Sequence, residues 1–175
     1  MMTQPCSTVL LRWISLDAES AAREIFPCCG SRAWAVGMAA QRPFASAQQL
    51  LAASDAVWAD LDELAWREAF AAHPRIGQQN APGATAQSLA WSSEEQRAAA
   101  GPDGAARLAL AEGNRQYEER FGRIFIVCAA GRSAAEILAI LQRRMQNMAA
   151  VEMLEAAEQQ RQITQLRLRR WLGVN

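Results

Sequence analysis

Phe121-Gly122-Arg123-Ile124-Phe125-Ile126-Val127 is the one strand-like run in this chain of 175 residues, and what it can pair with decides the fold. β-Branched and aromatic residues favour extended backbone, but a single strand has no second strand with which to form a ladder. Its buried N–H and C=O groups must find partners among side chains, water or something bound. The alternative, a buried continuation of the preceding helix, is weakened by Gly122, which disfavours a helix interior. Composition points away from a sheet: alanine occurs 37 times, against 18 for Val, Ile and Thr together, and alanine has the highest helix propensity. The expectation is an all-α fold, a single-domain bundle of about eight helices with one extended, ligand-contacting segment.

Helix signals surround that run on both sides. Upstream, Asp103 opens a helix over 103–120, and Ser92 a short one over 92–100 that stops at Gly101-Pro102. Downstream, Gly131 ends the run. Ser133 then caps a helix with Ile137, Leu138, Leu141, Met145 and Met148 on one face, and a long last helix covers 150–172. Nearer the N-terminus, helices are expected over 17–26 and 31–41, ending before Pro27 and Pro43. Ser46 caps another, with Leu50, Leu51, Val57, Trp58 and Leu61 on a broad apolar face. Asp62 caps the next, in which Trp66 and Phe70 sit one turn apart. It ends at His73, because Pro74 disfavours helical geometry in the residue before it. Residues 75–90, with Gly77, Pro82 and Gly83, read as a loop long enough to suggest function. The domain is drawn over 11–173, with 1–10 as an N-terminal tail.

Charge and residue usage exclude whole classes of chemistry. Eighteen basic residues, all arginine, balance eighteen acids to a formal net charge of +0, which argues against a nucleic-acid partner. The lack of lysine removes Schiff-base chemistry and the lysine of a phosphate-binding loop. No apolar stretch approaches the ~20 residues of a membrane helix, and no basic segment followed by an apolar one suggests a signal peptide. A cytoplasmic protein with no membrane partner is expected. The cysteines at 6, 28, 29 and 128 show no C-x-x-C spacing, and adjacent Cys28 and Cys29 make a poor disulfide pair. A zinc set drawn from Cys28, Cys29, Cys128 and His73 matches no usual ligand pattern. Reduced thiols and no metal are expected.

Few residues are left to carry chemistry. His73 is the only histidine, at a helix end before the long loop, and imidazole titrates near ~6.5; read alone, it is more readily a cap on the helix C-terminus. Ser92 and Glu95 have the spacing of a capping box. Glu95 and Gln96 together would also suit a ureide or amide, since a carboxylate only accepts hydrogen bonds while a carboxamide both gives and accepts. Arg161, Arg167, Arg169 and Arg170 read mostly as a solvated face, from which one guanidinium could turn inward to grip a carboxylate.

His73-Pro74-Arg75-Ile76-Gly77, Ser92-x-x-Glu95-Gln96 and Asn114-x-x-Tyr117-x-x-x-Phe121-Gly122-x-x-Phe125-Ile126 together resemble the 2-oxo-4-hydroxy-4-carboxy-5-ureidoimidazoline (OHCU) decarboxylases of urate breakdown. The likeness extends to Arg42-Pro43-Phe44, Glu136-Ile137-Leu138, Asn147, Glu152 and Ile163-x-x-Leu166-Arg167-Leu168. It implies an all-helical, cofactor-independent, generally dimeric enzyme that decarboxylates a small ureidoimidazoline to (S)-allantoin. It further implies His73 as general acid–base and Glu95 as the catalytic carboxylate on ureido or ring N–H groups, assisted by Gln96. Ser92 and the Pro74 carbonyl would add hydrogen bonds, the main chain of Ile124, Phe125 and Ile126 would bind polar ligand edges, and Arg167 would grip a carboxylate or ring carbonyl. Arg123-Ile124 departs from the family's usual apolar or aromatic residue followed by Pro or a β-branched one, which touches the shape of that backbone pocket. Met145, where Leu is common, is a tolerated core swap. Two other readings use the same residues: a non-catalytic helical module binding a ureide or peptide, with Glu95 only a cap, and a cysteine-based enzyme with a thiolate near His73, such as Cys128.

Overall fold

Seven of the helices start where a short polar side chain can take up an otherwise orphaned amide. The computed structural model describes residues 8–101 and 103–174, leaving Cys6 and most of the expected tail outside. Asp17, Ser31, Ser46, Asp62, Thr85, Asp103 and Ser133 each accept a hydrogen bond from the backbone N–H three residues on, at 2.8 to 3.3 Å. The helices among the described residues are α1 (Thr8–Ile14), α2 (Ala18–Ile25), α3 (Arg32–Ala40), α4 (Ala47–Ala59), α5 (Glu63–Ala71), α6 (Ala86–Glu95), α7 (Gly104–Phe121), α8 (Ala134–Arg144) and α9 (Ala149–Leu172). Short 3-10 turns stand at Phe26–Cys28 and Ala98–Ala100. There is no strand among the described residues, so the fold is all-α, and none of these helices is long and apolar enough to cross a membrane.

Three expectations need correcting. α1 begins at Thr8, inside the stretch read as tail. α6 begins at Ala86, not Ser92, because Thr85 and Ser88 form a capping box that the run of polar residues disguised. Met148 is 73% exposed and lies beyond the end of α8, so it does not share the buried face of Ile137 and Leu141.

The chain forms two compact units, residues 1–68 with 161–175, and residues 69–160. In the first, Trp13 is fully buried and donates from Nε1 to the Ala21 carbonyl at 2.8 Å. Its ring stacks on Phe44 at 6.1 Å and meets Trp171 edge-on at 5.7 Å. Arg42 donates to the carbonyls of Ala39, Trp13 and Leu16 at 2.7 to 2.9 Å, tying the ends of α1 and α3 with one planar fork. α4 and the C-terminal part of α9 are joined by Arg161 on Asp55 and Gln165 on the Leu51 carbonyl.

The second unit is built on α7 against α8. Leu110, Tyr117, Phe121, Phe125, Val127, Ile137 and Leu141 form its core. The helices approach closely at Gly113, where a Cβ would stand 2.9 Å from a Leu141 methyl. At its C-terminus α7 is closed by Gly122, whose φ of 67° is left-handed and whose N–H bonds the Glu118 carbonyl at 2.8 Å. That conformation favours glycine. It rules out the reading in which α7 runs on through Ile124.

Candidate active site

His73 follows directly on α5, its N–H bonded to the Phe70 carbonyl at 3.1 Å, and it is 8% exposed. Pro74 is also buried. The chain then turns outward and is fixed twice. Arg75 forks onto the Glu118 carboxylate of α7, with one N···O distance of 2.7 Å. Gly77, at φ 85°, donates its N–H to Oε1 of Gln96 at 2.9 Å. The second bond joins the His73 segment to the end of α6, where Gln96 is the C-cap. Gln96 is thus both a possible ligand contact and a strut for the loop.

Moving the start of α6 changes what Ser92 and Glu95 mean. Both lie inside the helix and both are buried, at 1% and 8% exposure. The capping box that would have explained them belongs to Thr85 and Ser88. Glu95 is thus a buried carboxylate on a helix that does not use it as a cap. A cavity of about 520 Å³ opens beside the loop, lined by Arg75, Ile76, Gly77, Gln96, Arg107 and Asn114 among others; His73, Ser92 and Glu95 are not part of it.

The extended segment is the third component. Phe125 and Ile126 are buried at 3% and 2% and Ile124 half so. Two of its backbone groups are taken up by side chains instead of a second strand. Nη1 of Arg144 donates to the Ile126 carbonyl at 2.6 Å, and the Cys128 N–H donates to Oε1 of Gln159 at 3.0 Å. Among the described residues, the N–H groups of Ile124, Phe125 and Ile126 meet no acceptor. Amides without partners in a largely buried stretch are rare, and such donors are open to the oxygens of a ligand. Arg123 does not disturb these donors. Its guanidinium folds back over Tyr117 and Phe121, 5.9 and 5.6 Å from their centroids, and Nη1 reaches the Phe121 carbonyl at 3.4 Å.

His73, Pro74, Ser92, Glu95, Gln96, Ile124, Phe125 and Ile126 all belong to the second unit. Arg167 belongs to the first. It is 1% exposed, turned inward from α9, with Nη1 on the Pro27 carbonyl at 3.4 Å. Arg169, by contrast, stays exposed. Burial pushes the Cys29 thiol up to about 12, against the lowering effect of its bond to Thr164. Burial also raises Cys28, with Arg167 opposing. Neither is a ready thiolate. No group of three His, Cys, Asp or Glu side chains suited to a metal occurs among the described residues.

Two residues went unassigned in the sequence, Arg144 and Glu152, both fully buried and paired at 2.5 Å. A signal existed: Arg144 continues the Ile137, Leu141 spacing, placing a charge where the face of α8 calls for an apolar side chain.

The fold defines an all-helical protein that holds a buried imidazole, a buried carboxylate and a largely buried stretch of irregular backbone in one compact unit. The chain belongs to the OHCU decarboxylase family, whose model matches residues 14–169. It is 39% identical over 142 residues to the uric acid degradation bifunctional protein TTL of Arabidopsis thaliana, covering 81% of this chain but 44% of that protein. The chain therefore spans less than half the length of that relative. It also resembles an OHCU decarboxylase crystallised in the presence of (S)-allantoin, with 36% identity, a TM-score of 0.74, and coverage of 86% of this chain and 97% of that one. An (S)-allantoin synthase structure shares the fold at 18% identity and a TM-score of 0.69, covering 98% of this chain and 54% of the other.

Proposed function

We propose that this chain decarboxylates 2-oxo-4-hydroxy-4-carboxy-5-ureidoimidazoline to (S)-allantoin in urate breakdown, acting as a cofactor-independent carboxy-lyase. The observation that carries the reading is the stretch 124–126, whose N–H groups meet no acceptor among the described residues, in the same compact unit as buried His73 and Glu95. Loss of CO₂ leaves electron density that the substrate's own C=N and carbonyl groups absorb. What remains for the protein is orientation, charge complementarity and protonation on one face. His73 serves as general acid–base near the substrate hydroxyl or carboxylate. Glu95 accepts from ureido or ring N–H groups, and Gln96, Ser92 and the Pro74 carbonyl add hydrogen bonds. The amides of Ile124, Phe125 and Ile126 donate to substrate oxygens. The working form in this reading is a cytoplasmic homodimer.

The test generates the substrate in place from urate with urate oxidase and hydroxyisourate hydrolase, and follows circular dichroism of allantoin. Rapid appearance of optically active (S)-allantoin above the slow racemic background is expected. An unchanged background with folded protein would overturn the reading and leave a ureide-binding module.

A further inference from the structure

We infer that Arg144, held by Glu152, is a positioning residue that fixes the carbonyl of Ile126 and so aims the amides of the extended segment at the substrate. What those amides hold rests on the proposed function; the clamp itself rests on geometry. Arg144 is used on every side. Nη1 donates to the Ile126 carbonyl at 2.6 Å, while Nε and Nη2 donate to Oε1 of Glu152 at 2.9 and 2.5 Å. That same oxygen accepts from the Tyr117 hydroxyl at 2.5 Å, and Oε2 accepts from Nδ2 of Asn147 at 2.8 Å. The Phe125 ring lies under the guanidinium, 4.6 Å from its carbon. Fixing the Ile126 carbonyl fixes the peptide plane that follows it, and holding the Phe125 ring fixes the residue before it. The backbone on both sides of Ile126 is therefore set by one side chain.

Stability alone does not account for this arrangement. Two fully buried charges pay a desolvation penalty that their attraction often fails to offset, and apolar residues of similar volume commonly serve as well. Apolar residues cannot donate to a main-chain carbonyl. A guanidinium neutralised by a carboxylate can, and its rigid fork does so in one orientation. With the Ile126 carbonyl taken, the peptide plane it shares with the Val127 N–H is fixed, and the backbone before it is held through the Phe125 ring.

The test compares Arg144→Lys, Glu152→Gln and Asn147→Ala with the unaltered protein in two readouts: steady-state kinetics in the coupled allantoin assay, and hydrogen exchange of the backbone at 124–128. Lysine keeps the charge but cannot serve Glu152 and Ile126 together. Arg144→Lys should raise KM about tenfold with kcat little changed, the pattern of lost substrate contacts. Exchange at 124–128 should quicken while α8 stays protected. Glu152→Gln should act in the same direction. Asn147→Ala, which removes a partly buried contact to Oε2, should give a smaller shift of the same kind and carries the test if the other two do not fold. A fall in kcat at constant KM, matching a loss of folded protein, would overturn the inference, as would unchanged exchange at 124–128. If the unaltered protein produces no (S)-allantoin, the proposed function fails, and the exchange readout still decides the clamp.

Discussion

Two stretches of the second unit lie outside regular secondary structure, and they are held in opposite ways. The loop after His73 runs along the outside and is pinned at partly exposed points, Arg75 on Glu118 and Gly77 on Gln96. The stretch after Gly122 runs through the core and is pinned from within by Arg144, backed by Glu152. Hydrogen bonds at the surface compete with water and contribute little net stability, whereas those inside cannot be exchanged for solvent. The outer loop can therefore change without unfolding the protein. The inner stretch is part of the core that α7 and α8 share.

The largest effect should come at the root of the outer loop. His73→Ala should lower turnover by about 10²–10⁴-fold, the usual contribution of a general acid–base, with the helical circular dichroism spectrum unchanged. Turnover that survives this change would move the acid–base role elsewhere. Next comes a direct contrast between the two pins, read by urea denaturation. Arg144→Met leaves the Glu152 carboxylate buried without its cation and should cost about 3–5 kcal/mol. Arg75→Met removes an exposed pair and should cost about 1 kcal/mol or less. Equal losses would show that the loop is as deeply built into the fold as the core segment.

The same contrast explains what could be read in advance. Helix starts marked by Asp17, Ser31, Ser46, Asp62, Asp103 and Ser133 were legible because an N-cap is a local device, and the side chain that makes it is in the sequence. The start of α6 was not, because Thr85-x-x-Ser88 and Ser92-x-x-Glu95 both offer a cap, and the choice depends on packing. The lone extended run was legible as a puzzle, and its composition alone demanded partners. Those partners, Arg144 and Gln159, stand 18 and 31 residues away from the groups they bond, Ile126 and Cys128. Local reading cannot supply a contact of that kind. His73, Glu95 and Arg167 stood out by residue type and position, and the likeness to a family gave them roles; their burial, at 8%, 8% and 1%, is information only the fold contains.

Gly122 is where the buried stretch begins, and Gly122→Ala tests how firmly that entry is set. At φ 67° a Cβ is strained, and the substitution should cost about 1–2 kcal/mol. The midpoint of urea denaturation should fall accordingly, at unchanged slope. A neutral outcome would mean that the turn can relax without moving Ile124.

Tyr117→Phe gives the most specific change, because Tyr117 is the only tyrosine in the chain. Burial, and then its bond to Glu152, raise its ionisation above the ordinary 10.0. The folded protein therefore keeps the phenol proton at a pH where the unfolded chain has released it. Stability from this group is complete below 10.0 and is lost progressively as pH rises beyond it, since the unfolded state then binds fewer protons. Phenylalanine should cost about 1 kcal/mol at neutral pH by removing one hydrogen bond to a buried carboxylate, and it should flatten the alkaline loss. Cys28 and Cys29, also raised by burial from 9.0, are present in both proteins, so the difference between the two urea-denaturation profiles isolates the phenol. Parallel alkaline limbs would mean that water reaches the Tyr117 hydroxyl, and that the interior pin on Ile126 is less sealed than its geometry implies.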